Sequence, residues 1–145
     1  MNSATTNNTS LLDVNVLIAL FDPAHIFHDA AHAWFERRGR NYWATCPITE
    51  NGFVRVIAHP RYPSGALTPP EAIARLGEFK KNAVGHIFWP DEITITDEDL
   101  FAGELLTHGK DLTDLYLLGL AARRRGRLAT FDRRLRREPI RRASG

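Results

Sequence analysis

The chain has one cysteine, Cys46, which excludes an internal disulfide and suits a reducing compartment. No apolar run approaches the roughly 20 residues needed to span a bilayer. The opening MNSATTNNTS lacks the basic and apolar parts of a secretory signal. A soluble, cytoplasmic protein that does not use membranes is therefore expected. There is no P-loop and no Gly-rich dinucleotide turn, so the common nucleotide-binding classes lose their usual support. Lysine is missing from residues 123–145, whereas arginine is abundant there.

What is present suits one domain. The 145 residues are 43% apolar and 25% charged, enough to bury a real core in a globular fold. The net charge of +2 hides a strong asymmetry. Residues 1–122 hold 9 Lys and Arg against 15 Asp and Glu, while residues 123–145 hold 10 Arg against 2 acids. An acidic body could hold a cation, and an Arg-rich end could hold a phosphate backbone. The plainer reading of that end is a solvated, solubilising tail.

Short apolar strands alternate with longer helical patterns. Strands are expected at Leu11–Asp13, Tyr42–Cys46, His86–Trp89 and Arg127–Thr130. Helices are expected over Val14–Phe21, His28–Arg38, from Pro47 to about Ala58, and over Leu112–Arg124. Thr68-Pro69-Pro70-Glu71 reads as a capping box opening a helix to about Ala83. Thr96-Asp97-Glu98-Asp99 reads as the start of a further helix, Asp97–Thr107, and Asp132–Arg137 as a last helical turn. His59–Ala66, with two prolines and a glycine, is a loop. The alternation argues for an α/β domain with a mainly parallel sheet of four or five strands and helices on both faces. Such sheets bind ligands beyond the carboxyl ends of their strands.

Four acids stand where apolar segments end or helices begin. Asp13 interrupts LLDVNVLIALF, Glu50 lies in CPITENGFVRV, Asp114 in DLTDLYLLGLAA, and Asp132 closes LATFD. A carboxylate beside a buried run must be solvated, paired or bound to a cation. Each acid also has a structural alternative. Asp114 could favour its helix start through the macrodipole, Asp132 and Glu50 could serve helix first turns, and Asp13 could accept backbone N–H groups at a strand-to-helix corner. Asp13 has the most apolar neighbours of the four. Placed together on one sheet edge, the four would repel each other strongly enough to call for a divalent metal.

The ordered pieces LLDVNVLIAL (11–20), a His-rich helix ending in HAWFERR (32–38), ATCPITENGFVRV (44–56), LTDLYLLGLAARR (112–124) and LATFDRRL (128–135) resemble the PIN-domain ribonucleases. Within that family the chain is similar to the VapC toxins of bacterial toxin–antitoxin pairs. The resemblance implies a three-layer α/β/α PIN domain over residues 10–138; the polar residues 1–9 read as a flexible leader or the product of an upstream start codon, and residues 139–145 as a basic tail. The resemblance also implies that Asp13, Glu50, Asp114 and Asp132 are both catalytic and metal-binding, with Asn15, Thr130 and Arg55 in support. Mg²⁺ or Mn²⁺ suits such oxygen ligands. The implied reaction is hydrolysis of an RNA phosphodiester to a 5′-phosphate and a 3′-hydroxyl. The implied partners are RNA, a cognate VapB-like antitoxin, and a second copy of the chain in a homodimer or toxin–antitoxin hetero-oligomer.

Other signals point elsewhere and are weaker. His28 and His32 share a helix face with Glu36 one turn on, a conceivable zinc pair, although a structural face accounts for them more simply. Trp34, Trp43 and Trp89 read as core rather than base-stacking residues, and Cys46 as a packed thiol. Asp13-Val14-Asn15 lacks the second aspartate and the threonine of a haloacid-dehalogenase-type phosphatase. Two rival functions remain: a PIN nuclease for RNA processing outside any toxin pair, and a PIN-like module that binds RNA or a partner without cutting.

Overall fold

The computed structural model describes residues 9–38, 41–102, 108–133 and 140. Among them, four strands form one parallel sheet: β1 (Ser10–Leu12), β2 (Trp43–Thr45), β3 (His86–Phe88) and β4 (Arg127–Ala129), in the order β3-β2-β1-β4. Five helices connect or cover them: α1 (Val14–Phe21), α2 (His28–Arg37), α3 (Pro47–Ile57), α4 (Pro69–Asn82) and α5 (Leu112–Arg123). A 3-10 turn, Gly109–Asp111, precedes α5. The sheet is all parallel, a narrower result than the mainly parallel sheet expected, and it has four strands in the described residues.

Alternating side chains of β1 and β2 build two apolar layers, as the pleat requires. Leu12 and Trp43 pack with α1, α3 and α4 through Leu17, Phe53, Ile57 and Leu76. Leu11 and Ala44 point the other way, onto Leu117, Leu120 and Ala121 of α5, with Cys46 and Trp89. Both faces are therefore covered, which explains why β1 and β2 are buried at every position. Trp43 and Trp89 are core residues, and Trp34 packs partly against the same core.

Local chemistry places the helix ends. Asp13 is the N-cap of α1, and Asp22 closes that helix before Pro23. Pro47 opens α3. The capping box of α4 is reciprocal, with Glu71 N–H donating to Thr68 Oγ1 at 3.3 Å and Thr68 N–H to Glu71 Oε1 at 2.8 Å.

Three expectations need correction. No helix occupies Asp97–Ala102, the described part of the segment read as Asp97–Thr107; residues 103–107 lie outside the described set. Asp97 turns the chain by accepting from Asp99 N–H at 2.9 Å and pairs with Arg123 at 2.9 Å. Leu100 and Phe101 then enter the core, and Phe101 bridges Ile140. The α5 stripe is also broader than Leu112, Leu115, Tyr116, Gly119 and Ala122. Leu117, Leu118, Leu120 and Ala121 are buried as well, and Leu112 is exposed, because α5 lies between the sheet and the Leu100–Phe101 segment. Thr9, assigned to the leader, is fully buried, and its carbonyl accepts from Arg127 N–H at 3.0 Å. Of the turn read at Asp132–Arg137, residues 134–137 lie outside the described set, as do residues 1–8 and 141–145.

The chain runs from β1 outward through β2 and β3, then returns to place β4 on the other side of β1. The strand order reverses between β1 and β4. That is the crevice where open α/β sheets bind ligands.

Candidate active site

Asp13 and Thr130 follow directly on β1 and β4, at this reversal. Asp13 is 8% exposed. One carboxylate oxygen accepts from Val14 N–H at 2.7 Å, and the other from the Thr130 hydroxyl at 2.8 Å. Thr130 in turn accepts from Asp132 N–H at 3.1 Å and from the Asn15 amide at 3.4 Å. Asn15 Oδ1 accepts from Phe131 N–H at 3.3 Å. The capping role open to Asp13 is thus real, but it occupies only one of its oxygens. The second joins a polar net that sets the loop carrying Asp132.

Asp114 lies in the first turn of α5. Its pKa is pushed up to about 6, first by burial and then by the charges of Asp13, Asp132 and Asp111. Asp114 therefore feels two of the other acids singled out in the sequence, Asp13 and Asp132, beside the β1–β4 edge. Asp111, three residues before Asp114 and not singled out in the sequence, adds a further charge.

Glu50 has a separate set of partners. It is paired with Lys80 of α4 at 2.8 Å and accepts from the Thr45 hydroxyl at 2.6 Å. Thr45 is also 2.7 Å from His86 Nε2. Burial, then Lys80, lowers the His86 pKa, while Glu50 opposes that shift. Nothing near Glu50 in sequence announces Lys80, 30 residues further on. Arg55 is exposed in the last turn of α3, and no described ion pair ties it to the acids.

The donor set is all carboxylate oxygen, the kind preferred by hard divalent ions. Among the described residues, no three His, Cys, Asp or Glu side chains are already gathered closely enough to hold an ion. The charge crowding felt by Asp114 is the demand that a cation would answer.

The histidine pair has a different use. His28 Nδ1 lies 2.7 Å from Ala19 O, and His32 Nε2 lies 2.7 Å from Leu20 O. Both rings satisfy carbonyls at the C-terminal end of α1, where orphan acceptors need donors. The Arg-rich end is also partly structural, since Arg123 pairs with Asp97 and Arg124 with Glu92. No helix among the described residues is long and apolar enough to cross a membrane.

The PIN domain family model matches residues 10–139. Ribonuclease VapC39 of Mycobacterium tuberculosis (strain H37Rv) is 44% identical over 124 residues, covering 86% of this chain and 88% of the relative. Ribonuclease VapC44 of the same strain is 43% identical over 126 residues, covering 85% of each chain. Ribonuclease VapC38 of that strain is 40% identical over 123 residues, covering 85% of this chain and 84% of the relative.

Proposed function

We propose, from the premise that this chain belongs to the PIN-domain family, that it is an endoribonuclease of the VapC type and the toxin of a toxin–antitoxin pair. The observation that carries the reading is the hydrogen bond from Thr130 to Asp13 at the β1–β4 reversal, with Asp132 N–H on the same hydroxyl and the Asp114 pKa raised by burial and then by the charges of Asp13 and Asp132. The names of its relatives supply the substrate class, RNA.

In this reading Asp13, Asp114 and Asp132 would hold Mg²⁺ or Mn²⁺, with Glu50 contributing from the Lys80 side. When bound, such an ion supplies a water of lowered pKa and positive charge against the phosphate. The chain's own residues prepare the site. Thr130 fixes the Asp13 carboxylate, Asn15 fixes Thr130 and the Phe131 amide, and the partly buried α5 keeps Asp114 out of bulk water. Water adds at phosphorus and the bond to the 3′ oxygen breaks, leaving a 5′-phosphate and a 3′-hydroxyl. Arg55, exposed on α3, is available to the RNA backbone rather than to the acids. A small VapB-like antitoxin would cover the acidic edge, and an arginine offered to these carboxylates is the natural contact. Homodimerisation and action in the cytoplasm belong to the same proposal.

The test is cleavage of total RNA by protein freed of any partner, in Mg²⁺ or Mn²⁺, with the 5′-phosphate ends sequenced. Cutting should stop with chelator and in Asp13→Asn and Asp114→Asn. Variants that cut as well as the wild type would overturn the site assignment.

A further inference from the structure

The loop between α1 and α2 carries an exposed apolar tip, with Ile26 86% and Phe27 41% exposed. Phe27 does not stand alone. Its ring stacks on Phe131, with centroids 4.5 Å apart and planes at 15°. His25 continues the row at 6.0 Å and 40°. Phe131 sits between Thr130 and Asp132, and its N–H donates to Asn15. The stack therefore runs from the loop that carries Asp132, where the Phe131 ring packs against the core, to the exposed ring of Phe27. Phe27 N–H donates to His25 Nδ1 at 3.0 Å, which leaves the ring proton on Nε2 and adds a donor beside the row.

With 41% of its surface still open, Phe27 leaves part of its apolar burial unrealised within the loop. An exposed ring is a good way to hold an unpaired base, because every base offers a π-face and stacking tolerates any sequence. We propose that Phe27, supported by Phe131, is the stacking platform for an unpaired RNA base next to the phosphate cut at the aspartates. The Phe131 ring fixes the tilt of the Phe27 ring, and the place of Phe131 between Thr130 and Asp132 ties the platform to the loop of the acidic site. A base held there places its own phosphate at the acidic edge. Single-stranded loops, whose bases splay outward, fit this geometry, whereas paired RNA keeps its bases stacked within the helix. The inference rests on the ribonuclease reading and names the element by which that site would select its substrate.

The experiment uses single-stranded RNA oligomers carrying 2-aminopurine at successive positions, bound to full-length protein in the Asp13→Asn background so that the RNA survives. One position should change in fluorescence on binding. Phe27→Ala should abolish that change and weaken binding about five- to a hundredfold, while Phe27→Trp should preserve both. Replacing the responsive nucleotide by an abasic one should weaken wild-type binding by a similar factor and leave Phe27→Ala binding unaltered. In cleavage by the otherwise wild-type chain, Phe27→Ala should raise KM and leave kcat nearly unchanged. Unaltered affinity and fluorescence in Phe27→Ala overturn the proposal. So does a fall in kcat and melting temperature with KM unchanged, which would make the Phe27–Phe131 stack a loop fastener. Wild-type cutting that ignores Phe27 sinks the platform alone; RNA neither bound nor cut sinks the ribonuclease reading with it.

Discussion

The Thr130 hydroxyl donates to the Asp13 carboxylate at 2.8 Å, joining residues 117 positions apart at the ends of neighbouring strands. The same oxygen accepts from Asn15 and from Asp132 N–H. Thr130→Val keeps the shape and removes all three bonds. Leaving such groups unpaired costs about 1–3 kcal/mol, so the melting temperature should fall and RNA cleavage should drop at least tenfold. Thr130→Ser should recover most of both. Cleavage by Thr130→Val at the wild-type rate would show that this net does not prepare the site.

Asp114 predicts a pH-dependent stability. Its pKa is raised to about 6 in the fold, from an ordinary value of 3.8. The folded state therefore binds the proton more tightly than the unfolded chain does, and ionised Asp114 is a liability. That liability is absent below 3.8, grows between 3.8 and about 6, and is complete above it. In metal-free buffer, Asp114→Asn should raise the melting temperature at pH 7.5, with the gain shrinking as the pH falls through about 6. Mn²⁺ should stabilise the wild type more than this variant. A gain independent of pH would contradict the charge-crowding account.

Lys80 holds Glu50 by an ion pair at 2.8 Å. If Glu50 belongs to the cation site, Lys80→Gln frees one carboxylate charge for the ion. Calorimetric Mn²⁺ affinity should then tighten severalfold, and Glu50→Gln should weaken it. Equal affinities in all three proteins would remove Glu50 from the site. The pair is partly exposed, so the effect of Lys80→Gln on stability should be under about 1 kcal/mol.

Two glycines should respond oppositely to alanine. A Cβ at Gly126 would lie 2.5 Å from Thr9 O and 2.7 Å from the Trp89 ring, whereas one at Gly77, inside α4, meets nothing within 4 Å. Gly126→Ala should destabilise by about 1–3 kcal/mol through overpacking. Gly77→Ala should stabilise by roughly 0.8–1 kcal/mol through helix propensity. Denaturant melts of both variants check the pair, and a neutral Gly126→Ala would mean that β4 can shift away from β1.

Much of this molecule is legible in its residues, because the signals involved are local. The apolar runs of β1 and β2, the proline at the start of α3 and the Thr68–Glu71 box act within a few residues of themselves. They specify elements wherever the chain goes. The ordered motifs around Asp13, Glu50, Asp114 and Asp132 likewise pointed to a PIN domain, and the family match over residues 10–139 bears that out. Local reasoning failed at Asp97, where a good capping sequence met a stronger pull. Leu100 and Phe101 gain more by burial against α5 than a short exposed helix would return.

What only the tertiary structure decided is which charges meet. Sequence spacing treats the four acids as equals. The return of the chain to β4 sets Thr130 and Asp132 beside Asp13 and lets Asp114 feel the charges of Asp13, Asp132 and Asp111, while α4 delivers Lys80 to Glu50. It also laid Phe27 on Phe131 across more than a hundred residues. Such contacts depend on chain crossings, and no local propensity encodes them. Residue types determined the kind of chemistry available here; the strand order determined which groups share it.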